Sequence, residues 1–264
     1  MSTQNGKGTA LITGASSGIG ATYAERLARR GHDLLLVARD LPRLEALAGR
    51  LTQEYGVKVE TLKADLTDQA ELHTVEQRLR GDQAISVLVN NAGMAMNGTL
   101  AEADLDTVER LLLLNIVALT RLSAAASASF GAAGQGAIIN IASVVAVAPE
   151  MFNAVYSASK AYVLSLSQTL QGEIGTLGVQ VQAVLPGITR TEIWERSGMD
   201  ESALPPGMIM EVGEMVDAAL AGFDQGELVT IPSLPDAADW AELVNARAKL
   251  GPNLSHSSAA ARYK

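Results

Sequence analysis

Tyr156 and Lys160 stand four residues apart in the stretch Tyr-Ser-Ala-Ser-Lys, and this pair of side chains could carry out acid–base chemistry. Residues at this spacing on a helix project from one face, one turn apart. A free phenol titrates near pH ~10, and a nearby ammonium favours its ionised form, so we expect Lys160 to lower the pKa of Tyr156. Such a tyrosine can exchange a proton with an alcohol or carbonyl oxygen. The same spacing also arises by chance on helix surfaces, so the rest of the chain must decide.

Short apolar runs alternate with longer helix-like segments along the chain. The runs typical of strands, several of them apolar nearly throughout, are 9–13, 34–38, 57–62, 86–89, 137–142, 179–185 and 228–231. The segments typical of helices are 20–30, 41–55, 69–80, 105–133, 155–177 and 211–223. This alternation predicts a Rossmann-type, doubly wound parallel α/β sheet of about seven strands with helices on both faces.

The chain is expected to form a single dinucleotide-binding oxidoreductase domain over residues 1–264. Prolines near the C-terminal end lie in predicted loops. We therefore expect a substrate-covering segment around 188–210 and a C-terminal extension from about 232.

A glycine-rich stretch, Thr13-Gly14-Ala15-Ser16-Ser17-Gly18-Ile19-Gly20, follows the first predicted strand and opens the first helix. Glycine lets the backbone turn sharply and approach a pyrophosphate, while the helix N-terminus offers free N–H groups and a positive dipole end. An ordinary glycine-rich turn would look similar. Its position in the first βα turn of an α/β chain favours a dinucleotide site.

Composition narrows the function classes. With 264 residues, 48% hydrophobic and 19% charged, the chain is expected to be globular. It has no cysteine and three histidines far apart, so we expect no disulfide and no metal site. The net charge of −9 disfavours nucleic acid as a partner. The polar N-terminus has no signal-peptide pattern, and the apolar stretches around 111–119 and 137–149 are too short to span a bilayer, so a cytoplasmic protein is expected.

Several motifs occur in a characteristic order. They are Gly14-x-x-x-Gly18-x-Gly20, Asn90-Asn91-Ala92-Gly93, Asn115 in a long helix, Ser143 after the fifth strand, Tyr156-x-x-x-Lys160, and Pro186-Gly187 after the sixth strand. In these motifs the chain resembles the short-chain dehydrogenase/reductase family over roughly residues 8–190. The C-terminal third resembles that family only in the order of its elements, so the resemblance names no substrate.

The resemblance implies a catalytic set. Tyr156 would be the general acid/base, Ser143 would orient the substrate, and Lys160 would lower the tyrosine pKa and hold the nicotinamide ribose. Asn115 would mark a helix kink and anchor a water that links Lys160 to solvent. Without the resemblance, Ser143 could simply face solvent and Asn115 could be the exposed position of its helix.

The resemblance also implies a cofactor-binding set. Asp65 would lie near the adenine amino group, although it could equally be an acid at a helix N-terminus. Asn90 would brace the sheet, and the backbone of Ala92-Gly93 would run along the adenine ribose. The expected cofactor contacts are Gly14, Ser16, Ser17, Gly18, Ile19, Gly20, Arg39, Asp65, Leu66, Asn91, Ala92, Gly93, Tyr156, Lys160, Pro186, Gly187, Ile188 and Thr189.

The end of the second strand bears on which nicotinamide cofactor is used. An acid there would bond the ribose 2′-hydroxyl of NAD, but the position is occupied by Ala38. Arg39 follows and suits a 2′-phosphate, while Asp40 before Leu41-Pro42 is expected to cap a helix. We therefore expect NADP(H) to be preferred over NAD(H). A register shift of one or two residues would make Asp40 the ribose ligand and favour NAD.

These observations favour an NADPH-dependent oxidoreductase that transfers a hydride between nicotinamide and a carbonyl or secondary alcohol. A 3-oxoacyl-carrier-protein reductase and a non-catalytic NADP-binding regulator stay open as alternatives. The outer faces of the helices at 105–133 and 155–177 carry Ala, Leu and Ser, and relatives pair such helices, so a homodimer or homotetramer is expected. Met94, Met96, Met151, Phe152, Trp194, Met208 and Met210 are candidates for an apolar substrate pocket or for the core.

Overall fold

The computed structural model describes residues 7–192 and 206–264 of the chain. Their backbone packs into two compact units, one reaching to Pro232 and the other formed by Ser233–Lys264. The first unit contains every residue predicted to take part in catalysis or cofactor binding. The single-domain assignment stays a prediction.

The first unit is built on a parallel sheet. Its strands are β1 Thr9–Thr13, β2 Asp33–Ala38, β3 Val59–Lys63, β4 Ile85–Asn90, β5 Gly136–Ile141, β6 Val179–Val184 and β7 Val229–Thr230. The spatial order is β3-β2-β1-β4-β5-β6-β7, and each adjacent pair is parallel. The predicted Rossmann-type sheet is therefore confirmed.

Helices connect the strands and cover both faces of the sheet. They are α1 Gly18–Arg29, α2 Leu41–Tyr55, α3 Gln69–Gly81, α4 Leu105–Leu112, α5 Leu119–Ala133, α6 Ala154–Ile174 and α7 Val212–Asp224. The structure differs from the predicted helix at 105–133 in one respect. A wider π-helical turn, Leu113–Ala118, separates α4 from α5.

Alternation along each strand explains the two-sided core. Leu34 and Leu36 of β2 pack into one buried cluster with α1, α2 and α7. Leu35 and Val37 point to the other face and join a second cluster with α3, α5 and α6. Successive strand residues face opposite sides, so a strand covered on both faces must be apolar throughout.

Asn90 and Asn140 form a polar link inside this apolar sheet. They are register partners on β4 and β5, and the Nδ2 of Asn90 donates to the Oδ1 of Asn140 at 2.9 Å and to Ser123 of α5 at 3.0 Å. Asn140 donates in turn to Ser167 of α6 at 2.9 Å. Buried amides are costly unless paired, so this link specifies how both helices sit on the sheet.

The strand order reverses between β1 and β4. The connections from β1 and β4 leave in opposite directions there, which opens a crevice at the carboxyl edge of the sheet. The glycine-rich stretch, the Asn-Asn-Ala-Gly stretch and the start of α6 all follow strands at this edge. The topology of the sheet alone therefore places the predicted site residues at one edge, the carboxyl edge.

By length and composition alone, the helical run Leu105–Ala133 could cross a membrane. It is longer than the apolar stretch around 111–119 because it includes α4 and α5 as well as the π-helical turn between them. Its α5 part packs on α3, β4 and β5 and buries Leu122, Ala125, Ala126 and Phe130. A core helix of a soluble protein has the same composition, and this packing accounts for the apolar character of the run.

The second unit contains α8, Ala237–Ala248, which the sequence analysis did not predict. Asp236 caps it by accepting a hydrogen bond from the backbone N–H of Ala238 at 2.8 Å. An aspartate before an alanine-rich stretch is a helix-start signal that could have revealed it.

Candidate active site

The loop between β1 and α1 is shaped by its glycines. Gly14 and Gly18 have positive φ angles of 64° and 54°, which side-chain-bearing residues rarely adopt. A Cβ at Gly20 would lie 2.4 Å from the carbonyl oxygen of Gly14. The loop is therefore folded back on itself so tightly that only glycine fits.

Side chains from neighbouring strands hold this loop in place. Asn91 donates through Nδ2 to the carbonyl oxygens of Thr13 at 2.9 Å and Gly14 at 3.2 Å. The hydroxyl of Thr13 accepts from the backbone N–H groups of Asn91 and Ala92, both at 3.0 Å. The side chain of Asn91 is thus a structural clamp, which leaves its backbone and that of Ala92 and Gly93 as the surface available to a ligand.

The loop fits an anionic ligand. Helix α1 begins at Gly18 and has no acidic residue in its first turn, so nothing opposes the positive end of its dipole. Ser16, Ser17 and Ile19 are half-buried along the same loop, and Thr191 lies against Gly18, 3.3 Å from where a Cβ would stand. The glycine-rich loop and the N-terminus of α1 together match the features that bind the pyrophosphate of a dinucleotide, namely close backbone approach and free N–H groups.

The end of β2 has the register expected from the sequence. The strand ends at Ala38, and the carboxylate of Asp40 accepts a hydrogen bond from the backbone N–H of Arg43 at 3.1 Å as the cap of α2. Arg39 is 73% exposed, and its Nη1 lies 3.8 Å from the Oδ2 of Asp65. Asp40 is therefore occupied at the helix start, whereas the guanidinium of Arg39 stands free enough of the protein to meet a ligand.

Asp65 and Leu66 differ in what they can offer. Burial opposes ionisation of Asp65, but hydrogen bonds from the N–H and hydroxyl of Thr67, together with Arg39, hold its pKa below the ordinary value. The side chain of Leu66 is buried in the core, so only its backbone is available to a ligand.

The turn after β6 joins the site to the following segment. Pro186 is buried, and its carbonyl oxygen accepts from the N–H of Val144 at 3.0 Å and from the hydroxyl of Ser143 at 3.5 Å. The backbone N–H of Met210 donates to Ile188 at 2.9 Å, and Thr189 pairs with Met210. Thr189 also donates through its hydroxyl to the carbonyl oxygen of Gly187 at 3.2 Å.

The described ends of the predicted covering segment are thus joined to each other at Met210. Residues 193–205, including the candidate Trp194, lie outside the described residues.

Helix α6 carries Tyr156 in its first turn and Lys160 in its second. Asn153 caps the helix by accepting from the backbone N–H of Tyr156 at 3.0 Å. The Nζ of Lys160 lies 5.6 Å from the centre of the Tyr156 ring and donates to the carbonyl oxygen of Ile141 at 2.9 Å. The structure therefore places the two side chains together on the face of α6 that meets β5.

The expected lowering of the Tyr156 pKa is wrong. Burial raises the pKa of Tyr156 to about 12, and a hydrogen bond with Ser143 offsets this only in part. Burial also lowers the pKa of Lys160 to about 8. Desolvation disfavours the charged form of each group and is the largest cause of both shifts. Near neutral pH, Tyr156 is therefore a protonated phenol, which is the form that donates a proton.

Asn115 lies in the π-helical turn, where the sequence predicted a kink. Its side chain is buried, accepts from the backbone N–H of Met94 at 2.9 Å, and donates to the carbonyl oxygen of Met94 at 3.0 Å and to Ser159 at 3.1 Å. A Cβ on Gly93 would stand 3.3 Å from the Oδ1 of Asn115 and 3.7 Å from the Nζ of Lys160. The structure thus brings Asn115, Gly93 and Lys160 together. π-Helical turns are common at functional sites.

Three residues of the site were not singled out by the sequence analysis: Thr13, Asn153 and Ser159. Ser159 links Asn115 to the catalytic helix, because its hydroxyl also donates to the carbonyl oxygen of Tyr156 at 2.8 Å. Asn153 stands three residues before Tyr156, the spacing of a helix cap, and this signal was available in the sequence. The links made by Thr13 and Ser159 are long-range and had no local signal.

Apolar side chains lie on the elements that border the site, and one of them contacts Tyr156. Phe152 meets its ring edge-on with 5.4 Å between ring centres, and Val147 and Met151 of the same connection are exposed. Met96 is buried, and Met210 packs against the core cluster around α1 and α7. Among the described residues, no three His, Cys, Asp or Glu side chains come together as a metal site would require.

Solved structures resemble this chain over nearly its whole length. A short-chain dehydrogenase from Sphingobium yanoikuyae, solved in complex with NADPH, is 57% identical with a TM-score of 0.95, covering 97% of this chain and 100% of its own. A bulky-bulky ketone specific alcohol dehydrogenase from Comamonas testosteroni is 51% identical with a TM-score of 0.90, covering 97% of this chain and 98% of its own.

Sequence comparison gives the same family. The model of the short chain dehydrogenase family matches residues 8–202. A very-long-chain 3-oxoacyl-CoA reductase from Anas platyrhynchos is 32% identical over 189 residues, which cover 70% of this chain. The match spans only 60% of that reductase's length.

The buried ammonium of Lys160 leads to a testable dependence of stability on pH. Between pH 8 and 10.5 the unfolded chain keeps the lysine proton that the folded chain has lost, so the contribution of this residue to stability rises with pH. Lys160→Met should be more stable than wild type at neutral pH, and we expect this advantage to shrink by about 2–3 kcal/mol across the window. Urea unfolding at several pH values measures it.

Lys63→Met, at an exposed position of β3, controls for the simple loss of a positive charge. A stability difference between Lys160→Met and wild type that stayed constant from neutral to alkaline pH would contradict the prediction.

Proposed function

The chain belongs to the short-chain dehydrogenase family of oxidoreductases, and on that premise we propose that it is an NADPH-dependent reductase of apolar ketones, cytoplasmic in location. The observation that carries the proposal is the half-buried Tyr156, a protonated phenol at neutral pH with Ser143 as its hydrogen-bonding neighbour and the Nζ of Lys160 5.6 Å from the centre of its ring. Tyr156 is thus a proton donor at the same edge of the sheet as the proposed dinucleotide-binding loop. A regulator that only bound the dinucleotide would have no need of it.

The mechanism follows from what each side chain can do. NADPH, when bound, supplies the hydride. The hydroxyl of Ser143 orients the carbonyl oxygen toward Tyr156, whose phenol donates its proton as negative charge develops on that oxygen. Below its pKa of about 8, Lys160 is cationic, and its charge stabilises the phenolate that remains. Asn115 keeps Gly93 and the segment after it against Lys160, which fixes the wall of the site.

Two features support an apolar ketone as the substrate. Phe152 places apolar surface beside Tyr156, and Val147 and Met151 of the same connection are large apolar side chains exposed to solvent, Met151 by 57%. Covering such surface contributes roughly 25 cal/mol per Å². The relative from Comamonas testosteroni is specific for bulky-bulky ketones. Charged sugars would gain nothing from this surface.

The similarity to 3-oxoacyl-CoA reductases supports shared carbonyl chemistry and not the same substrate, because the chain matches only part of their length. Reduction of a substrate on an acidic carrier protein would require a basic docking face. The net charge of −9 disfavours that alternative.

NADP(H) is proposed as the preferred cofactor for three reasons. The strand β2 ends at Ala38 without an acid, Asp40 is engaged as a helix cap, and Arg39 is exposed at the same edge. A guanidinium suits the 2′-phosphate that distinguishes NADPH from NADH. The Sphingobium yanoikuyae relative was solved with NADPH.

A homodimer or homotetramer is proposed from the outer faces of the long helices. Leu105 and Leu112 on α4, Val117 in the π-helical turn and Tyr162 on α6 are large apolar side chains exposed to solvent. Exposed apolar surface of this extent is typical of association sites. Pairing of two copies about a two-fold axis would bury both faces at once.

Tyr156→Phe tests the proposed function. It removes the transferable proton but keeps the ring, so turnover should fall by about 10²–10⁴-fold while NADPH binding stays close to wild type. Steady-state reduction of a panel of bulky apolar ketones and charged sugars, together with the cofactor Kd, measures both. Tyr55→Phe, at the far end of α2 from the carboxyl edge, is the matched control.

Substantial residual turnover in Tyr156→Phe would mean that another group supplies the proton. A wild-type enzyme that reduced charged sugars fastest would refute the substrate class.

Arg39→Ala tests the cofactor preference. A hydrogen bond to a charged group contributes ~1.5–3 kcal/mol, so wild type should prefer NADPH over NADH by roughly ten- to hundredfold in kcat/KM and the variant should lose most of that preference. Adding Ala38→Asp should move the preference toward NADH. Arg50→Ala is the control for loss of a positive charge. Arg50 lies on α2 and pairs with Glu25 of α1 and Glu54 of α2.

If the ratio of kcat/KM with NADPH to kcat/KM with NADH were the same in Arg39→Ala as in wild type, Arg39 would not bind the 2′-phosphate.

Val117→Asp tests the association face. A carboxylate placed in a buried apolar interface is costly, so the variant should shift toward the monomer. Light scattering at micromolar concentration should give the mass of a dimer or tetramer for wild type and a smaller mass for the variant. A monomeric wild type would defeat the proposal.

A further inference from the structure

The segment that follows Gly93 borders the site without regular secondary structure. Residues 91–99, all within the described part of the chain, form neither helix nor strand. No backbone ladder fixes them, so their position depends on side-chain hydrogen bonds. A segment of this kind would otherwise sample many conformations next to the catalytic groups.

Two asparagines from different helices hold this segment at two points. Asn115 of the π-helical turn bonds both backbone groups of Met94. The Nδ2 of Asn153 donates to the carbonyl oxygen of Met96, whose side chain is buried. The asparagine clamps therefore act two residues apart, and the stretch between them has little freedom.

Asn153 makes a second hydrogen bond, which connects this segment to the helix turn that carries Tyr156. Its Oδ1 accepts from the backbone N–H of Tyr156, so one amide group holds the loop with its nitrogen and the first turn of α6 with its oxygen. The separation between Met96 and Tyr156 is thus set by a single rigid side chain. A helix cap alone would need only the oxygen, and serine or aspartate would serve as well.

We propose that Asn153 is a positioning residue that fixes the wall formed by residues 94–96 relative to the hydroxyl of Tyr156, and so fixes how a ketone is presented to it. This inference rests on the proposed reductase function. Orientation of a substrate within a fraction of an ångström of its reacting geometry has a large effect on rate. Residues 94–96 orient the ketone in the transition state, so greater mobility of these residues should lower kcat more than it raises KM.

Three substitutions separate the two bonds of Asn153. Asn153→Ser keeps an oxygen for the cap, but its hydroxyl stands one bond closer to the backbone than the amide nitrogen and is too short to replace the donor to Met96. Asn153→Asp keeps the cap oxygen and, when ionised, has no donor, whereas Asn153→Ala loses both bonds. We expect Asn153→Ser to keep the melting temperature and the NADPH Kd of wild type while kcat for the best ketone falls about tenfold. Asn153→Ala should show the same loss of kcat with a lower melting temperature.

Asn153→Asp adds a signature that a structural role would not produce. At neutral pH its carboxylate repels the carbonyl oxygen of Met96, but the protonated carboxyl can donate to it. Its kcat relative to wild type should therefore recover as the pH falls toward the pKa of the new carboxyl. Amide hydrogen exchange over residues 94–98 should be faster than in wild type for all three variants, and this readout is independent of turnover.

Asp104→Ala is the matched control, because Asp104 caps α4 through hydrogen bonds to the first turn of that helix. It should lower the melting temperature and leave kcat unchanged. Asn153→Ser with kcat within about twofold of wild type and unchanged exchange in residues 94–98 would overturn the inference, given that the expected loss is about tenfold. A loss of kcat that followed the melting temperature across all four variants would also overturn it. A wild-type enzyme inactive on every ketone would instead defeat the proposed function, while the exchange measurement would still test the clamp.

Discussion

The backbone hydrogen bonds of a parallel sheet stop where the strands end, and the site of this protein depends on how side chains take over at that edge. Beyond β1 and β4, the hydroxyl of Thr13 and the amide of Asn91 bond the backbone of each other's connection. Asn115 and Asn153 do the same for the segment after Gly93. Loops at a functional edge need defined positions, and amides supply a donor and an acceptor in one rigid group.

The same edge controls the electrostatics of Tyr156 and Lys160. Lys160 is buried between α6 and the end of β5 and Tyr156 beside it is half-buried, so water solvates their charged forms poorly. Burial therefore raises the pKa of the phenol to about 12 and lowers that of the ammonium to about 8. A proton donor for carbonyl reduction benefits from the first shift, because the phenol is fully protonated at neutral pH. The second shift stores free energy at the site, and active sites are where proteins carry such strain.

The proposed cofactor and substrate specificity of this protein rests on side chains that lie outside the ordered sequence motifs. The proposed cofactor preference rests on Ala38 and Arg39 at the carboxyl end of β2, and the proposed substrate preference rests on apolar side chains between β5 and α6. Ala38 is buried in the core cluster around α1 and α2, whereas Arg39 and Met151 are largely exposed and contribute little to the core. They can differ between relatives without loss of the fold, which agrees with a family that shares one architecture among many substrates.

The order of the elements and the place of the glycine-rich loop followed from the sequence alone, because strand and helix periodicity and glycine turns are local signals. The cap at Asp40 was also predictable, since an aspartate before Leu-Pro is a local helix start, and it settled the register of β2. Other features needed the tertiary structure. The burial of the Leu66 side chain leaves only its backbone for the predicted cofactor contact, and a π-helical turn around Asn115 interrupts the long helix at 105–133. The direction of the Tyr156 pKa shift was wrong from the sequence for the same reason. Spacing on a helix determines which side chains are neighbours, whereas desolvation depends on every atom that the fold packs around them.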